Sequence, residues 1–211
     1  MSNCNNTIKE NLRKFYDQTA DLRDSSEKQD WKIKERQSFL DLSKSEGKQT
    51  LLELGAGTGN DSLFFRENGL TVTAIDLSAE MVKRCKEKSV DAYELDYYQV
   101  SMLNKKFQCI WSMNSLLHVP KAELPQVLTS IDSVLDENGL FFMGVYGGEN
   151  RENEYMNEVS EHPRFFSYYT KDMLAAVLEQ HFTIIMLHEY DVGRNINFQS
   201  ALMRKKESVG V

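Results

Sequence analysis

The sequence predicts an α/β chain built on a doubly wound, mostly parallel sheet with helices on both faces. Two observations carry that prediction. From Thr50 onward, short apolar runs of strand length alternate with amphipathic segments of helical spacing. The first of these runs, TLLEL, breaks directly into GAGTG before a helical pattern resumes. In such a sheet a glycine-rich turn at that point lies at the carboxyl edge of the strands, where missing side chains let a ligand approach the backbone.

The elements follow in order. Residues 7–45 read as helical, with Ile8, Leu12 and Phe15, then Trp31, Ile33, Phe39 and Leu40, at helical intervals around a polar break at 21–30. Strands are expected at 50–54, 72–76, 92–95, 107–113 and 139–146. Helices are expected at 59–68, 79–88 and 121–136, with a shorter one near 97–103. After Tyr146 the rhythm breaks in GGENRENEYMNEVSEHP, then returns as a helix at 170–180 and strands at 183–189 and 197–204. Gly193, Arg194 and Asn195 supply hairpin turn chemistry between those two strands, so the last is expected to run antiparallel.

Composition narrows the function. The 211 residues suggest one domain, and 41% hydrophobic with 27% charged residues fits a soluble globular chain. No apolar run approaches membrane-spanning length, and MSNCNNTIKENLRKFYD lacks the apolar core of a secretory signal, so cytoplasmic residence is the expectation. A net charge of −7, with Arg204-Lys205-Lys206 as the one short basic run, argues against a nucleic-acid substrate. Cys4, Cys85 and Cys109 are spaced for neither disulfides nor zinc and read as reduced thiols, Cys109 as core. No metal site is expected.

Glycines 55, 57 and 59 therefore point to a nucleotide-like ligand. Asp76 ends the second strand, where a carboxylate accepts hydrogen bonds from both hydroxyls of a ribose. It also stands where it could cap the next helix, although Ser78 is the better cap. Dinucleotide enzymes want G-x-G-x-x-G/A; position 60 is Asn60 and the third glycine comes one residue early, which disfavours NAD.

The stretch Glu53-Leu54-Gly55-Ala56-Gly57-Thr58-Gly59 resembles the acidic-x-G-x-G-x-G loop of the class I S-adenosylmethionine (SAM)-dependent methyltransferases, and Asp76-Leu77-Ser78 their ribose-binding motif. The resemblance covers about 50–146 and implies a Rossmann-like seven-stranded sheet of order 3-2-1-4-5-7-6, with strand 7 antiparallel. It implies a helical lid over 1–47 and a domain over 48–211 with a lid insertion at about 147–169. By the same resemblance, Glu53 and the loop Gly55-Ala56-Gly57-Gly59 hold the methionine end of SAM and Asp76 the ribose. Leu77 and Met81 flank the adenine, Asp96 accepts its amino hydrogens with Tyr97 beside the ring, and Tyr16 and Asn114 touch the cofactor. Asp96 also reads as a helix cap.

Methyl transfer from a sulfonium needs positioning more than acid–base machinery. The segment from Ile110 to Pro120 resembles the family segment that lines the sulfonium and opens the acceptor pocket; the metal-binding acid of metal-dependent O-methyltransferases is missing from it. An Asn/Asp-Pro-Pro-aromatic tetrad of base methylation is also missing, Asn114-Ser115-Leu116-Leu117 standing there. The acceptor is thus expected to be a small molecule. His118 is the candidate general base, with a structural hydrogen bond as its other reading. Tyr146 and Tyr168 are pocket candidates, Phe165 and Phe166 read as core, and Arg23, Arg36 and Arg164 are candidates for a substrate carboxylate. A monomer or homodimer is expected. Two other readings remain at this stage: an NAD(P)-linked oxidoreductase, and a SAM- or S-adenosylhomocysteine (SAH)-binding module without turnover.

Overall fold

The computed structural model describes residues 3–25, 28–193 and 196–207. Helices α1 (Asn3–Asp24) and α2 (Asp30–Ser45) precede the sheet. The alternating part runs β1 (Thr50–Leu54), α3 (Asn60–Glu67), β2 (Thr71–Asp76), α4 (Ala79–Glu87), β3 (Asp91–Glu94), a 3-10 turn (Tyr97–Leu103) and β4 (Phe107–Met113). After a second 3-10 turn (Leu116–His118) come α5 (Leu124–Val134), β5 (Leu135–Gly147), β6 (Arg151–Asn157), β7 (Ser160–Tyr168), α6 (Lys171–Leu178), β8 (Phe182–Asp191) and β9 (Asn197–Lys205).

The main sheet has the order β3-β2-β1-β4-β5-β9-β8. β9 runs antiparallel between β5 and β8, and the remaining pairings are parallel. With the separate β6–β7 hairpin set aside, this is the expected 3-2-1-4-5-7-6. Strand order reverses between β1 and β4, which opens a crevice at their carboxyl ends, where an open α/β sheet binds ligands.

Alternation along the central strands divides the core between the two faces of the sheet. Leu52, Ile110 and Phe141 face α5, where Val127, Leu128 and Ile131 are fully buried. Leu51, Trp111 and Phe142 face the other way, toward Phe39 of α2 and Phe65 of α3. The Trp111 and Phe142 rings stack with centroids 4.1 Å apart.

Three departures from the sequence reading have physical causes. First, α2 does not bury the side its apolar residues suggest: Ile33 is exposed, while Lys32 and Glu35 lie on the buried side with Phe39, Leu40 and Ser43. Those positions follow the helical period, so two charges occupy the core stripe. Second, the expected irregular segment 147–169 contains the antiparallel hairpin β6–β7. RENEYMN shows no apolar alternation because directly opposed cation–aromatic pairs hold the hairpin: Arg151 faces Tyr168 and Tyr155 faces Arg164. Third, β5 starts at Leu135 and α5 stops at Val134, because the register shift against β4 absorbs 136–139 around Asn138, at φ 58°. The remaining element ends move by a few residues, the polar break narrowing as α1 runs to Asp24. The Arg194-Asn195 turn lies outside the described residues.

Candidate active site

The glycine loop is held by the end of β2. Gly55 and Ala56 both donate their amides to the Ile75 carbonyl, at 2.9 and 3.0 Å. Gly57 donates to Oδ2 of Asp76 at 2.8 Å, and Ser78 donates its amide to Oδ1 at 2.9 Å. Each carboxylate oxygen thus has one backbone donor and retains acceptor capacity beside the cavity. Burial pushes the Asp76 carboxyl up to about 6, against the amides that favour its charge. Ser78 caps α4, as its sequence position suggested, accepting from the Met81 amide and donating its hydroxyl to Asp17 of α1 at 2.6 Å.

Gly55, Gly57 and Gly59 all have positive φ. Their surroundings differ. A Cβ at Gly55 would lie 2.3 Å from Ser115 Cβ, and one at Gly59 would lie 2.8 Å from Cys85 Sγ, whereas one at Gly57 would meet no protein atom within 4 Å. Gly59 therefore lets α3 and α4 approach, and Gly57 leaves open space at the cavity wall. Cys85 sits 3.2 Å from the Gly57 carbonyl, its thiol pushed by burial up to about 12; Cys109 is also buried, and both are free thiols.

A cavity of about 410 Å³ runs along this edge, within the size range of small-molecule sites, roughly 300–1,000 Å³. Asp76, Leu77, Met81, Asp96 and Tyr97 all line it. Asp96 accepts from the Tyr98 amide, so it does cap the 3-10 turn, and it pairs with Lys9 of α1 at 2.6 Å. Glu53, Gly55, Ala56 and Gly57 line the cavity as well. The Glu53 carboxyl is raised by burial and by neighbouring Asp61, and it accepts from Ser62. Against its own burial, Lys28 and Arg36 hold Asp61 below the ordinary carboxylate range, and the Trp111 indole also donates to it.

Tyr16, Asn114, His118 and Tyr146 line the cavity too, joined by Phe166. Tyr168 does not line the cavity; it stacks on Phe166 from the same face of β7, at 6.0 Å. Arg36 also stays outside, committed to Asp61, while Arg23 and Arg164 line the cavity. Asn114 has φ 59°, and its buried Oδ1 has no hydrogen-bond partner among the described residues. Sequence reasoning missed Lys32, whose Nζ reaches the Tyr146 hydroxyl at 3.3 Å. The signal was its place on the buried stripe of α2.

His118 has both ring nitrogens engaged. Nδ1 lies 2.6 Å from the Phe165 carbonyl and Nε2 2.7 Å from the Tyr16 hydroxyl. A carbonyl only accepts, so Nδ1 carries the proton and Nε2 accepts from Tyr16. Burial lowers the imidazole to about 3, opposed by the Phe165 carbonyl and helped by the Arg164 and Arg23 charges. The ring is neutral at physiological pH. A depressed histidine favours the native state above pH 6.5, and this stability is lost as pH falls toward 3. Between pH 7.5 and 5, wild type is therefore expected to lose about 1–2 kcal/mol relative to His118→Gln, read from urea melts of both proteins.

Residues 51–139 match a family profile described as a methyltransferase domain. An uncharacterized methyltransferase of Alkaliphilus oremlandii is 27% identical over 128 residues, 59% of this chain and 59% of that protein. A malonyl-[acyl-carrier protein] O-methyltransferase of Hamiltonella defensa is 32% identical over 128 residues, 57% of this chain and 49% of that one. The chain thus spans about half the length of the curated relatives it matches. Among solved structures, the Burkholderia thailandensis 1,6-didemethyltoxoflavin-N1-methyltransferase, with 1,6-didemethyltoxoflavin and SAH bound, superposes with a TM-score of 0.71. Identity is 20%, covering 95% of this chain and 88% of that one. Together these comparisons show that residues 51–139 match a methyltransferase-domain profile and that the chain has the fold of the solved methyltransferase it superposes on.

Proposed function

We propose that the chain transfers a methyl group from SAM to a small-molecule acceptor by direct in-line displacement. The observation that carries this reading is Asp76, set beside the bare Gly57 backbone with acceptor capacity left on both oxygens. The Asn114 Oδ1, unpartnered among the described residues, and the open wall at Gly57 support the fit of a bound nucleoside. When bound, SAM supplies a methyl group already activated on a sulfonium. The chain's own residues hold and shield. Asp76 takes the ribose hydroxyls, Leu77 and Met81 flank the adenine, Asp96 accepts its amino hydrogens, and Glu53 with the glycine loop faces the methionine end.

α1 and the β6–β7 segment act as a lid that excludes water, α1 being tied to α4 through Asp17 and Ser78. In this proposal His118 is a positioning residue: its Nε2 already accepts from Tyr16, so it orients that hydroxyl at the cavity instead of taking a proton from the acceptor. No nucleic acid is part of the reading, which the net charge of −7 supports. Among the described residues no helix is long and apolar enough to cross a membrane. The free buried thiols support a reducing compartment, the cytoplasm. The test is SAH formation from methyl-labelled SAM across a panel of small acceptors. Label in an acceptor-dependent product supports the enzyme; SAH binding without product from any acceptor supports a binding module.

A further inference from the structure

Charges of both signs line the cavity. Asp96 is paired with Lys9, and Asp61 with Lys28 and Arg36, whereas Lys32 and Arg164 line it with the aromatic rings of Tyr16, Tyr146 and Phe166 and have no carboxylate ion pair among the described residues. We propose that the methyl acceptor is a small organic anion with a flat apolar body, its carboxylate held by Lys32 and Arg164. This rests on the reading above, in which Asp76 and Asp96 take the adenosine.

Lys32 is 5% exposed, and its Nζ forms no ion pair with a carboxylate among the described residues. Its neighbours are the Tyr146 hydroxyl and the rings of Trp31, Tyr146 and Phe198, with centroids 4.9, 5.2 and 5.2 Å from Nζ. Aromatic faces favour a cation, yet they do not neutralise it. Asp61 is the acid whose charge reaches Lys32, and its oxygens are taken by Lys28, Arg36 and Trp111. Burial consequently lowers the ammonium to about 8. A buried cation without a counterion is costly, and an anion entering the cavity removes that cost.

Arg164 lines the same cavity. Its guanidinium lies over Phe15 and Phe166, 4.5 and 5.0 Å from the ring centroids, it hydrogen-bonds the Tyr16 side chain, and among the described residues its buried Nε has no hydrogen-bond partner. Arg23 adds to the positive field: burial raises the Tyr146 phenol against the Arg23 charge, and burial lowers the His118 imidazole with help from the same charge. Lys32 and Arg164 thus present donors and positive charge to a cavity lined with aromatic rings, which suits a planar carboxylate.

The experiment uses SAH-saturated protein and two probes of the same shape, 4-hydroxybenzoate and 4-hydroxybenzamide, with affinities from ligand-observed NMR. The benzoate is expected to bind at least about tenfold more tightly than the amide. In Lys32→Met, and separately in Arg164→Gln, that preference is expected to fall toward parity while SAH affinity by calorimetry changes by less than about threefold. Equal affinity of the two probes for wild type overturns the proposal. So does a loss of SAH affinity of about tenfold or more in Lys32→Met, which assigns Lys32 to the cofactor's own carboxylate. Failure of wild type to bind SAH at all removes the cofactor reading and this one with it, a result distinct from either.

Discussion

Replacing Asp76 with Ala is expected to weaken SAH binding by about two to four orders of magnitude. The carboxylate offers one acceptor position on each oxygen beyond those used by Gly57 and Ser78. Two charge-assisted hydrogen bonds to ribose hydroxyls are worth about 1.5–3 kcal/mol each, and about 1.4 kcal/mol is a tenfold change in affinity. The Gly57 amide also loses its partner, which loosens the loop the ligand needs. The pH dependence has a definite sign. Burial raises the folded carboxyl from 3.8 to about 6, so in the apo protein the stability linked to this proton is present below 3.8 and lost as pH rises through 6. Ribose hydroxyls donate to the charged form. SAH affinity should therefore decline as pH falls below about 6 in wild type and lose that dependence in Asp76→Asn, measured by calorimetry across the range.

Gly55→Ala and Gly57→Ala should separate folding from binding. At Gly55, φ 65° costs an L-residue roughly 1–2 kcal/mol. A Cβ 2.3 Å from Ser115 Cβ forces that segment to move, and overpacking adds about 1–3 kcal/mol. Ser115 has little room to yield, because its hydroxyl bonds Leu54 and Ser112. The sum lowers the melting temperature by about 5–15 °C. At Gly57 the backbone strain is similar, with φ 55°, and no protein atom obstructs the methyl. Its melting temperature should fall by only a few degrees while SAH affinity drops sharply, since the methyl stands where the ligand approaches the backbone. Scanning calorimetry gives the first quantity and titration calorimetry the second.

What the sequence made legible was local. The glycine loop, Asp76 and the Ser78 cap lie close together in the chain, and each has a backbone role that fixes its residue type. The alternation gave a mostly parallel sheet, and strand order came from the resemblance. The Tyr16–His118 hydrogen bond joins groups 102 positions apart, so the sequence showed two candidate side chains without showing that one occupies the other. Lys32 stayed hidden because α2 puts charges on its buried stripe and Ile33 in solvent, against the hydrophobic pattern. The β6–β7 hairpin stayed hidden because cation–aromatic pairs do the work that alternating apolar residues usually do. Tyr168 was read for the cavity and lies behind Phe166, a distinction that strand register alone decides.

The central claim is that the crevice between β1 and β4 takes the adenosine of SAM. Thermal melting of wild type with SAH, SAM and NADH in turn tests it most directly. A ligand at about 100 times its dissociation constant adds about 2.7 kcal/mol, which in a chain of this size raises the melting temperature by roughly 5–10 °C. The account predicts that shift with SAH and SAM and none with NADH. A shift with NADH alone, or with none of the three, would contradict it.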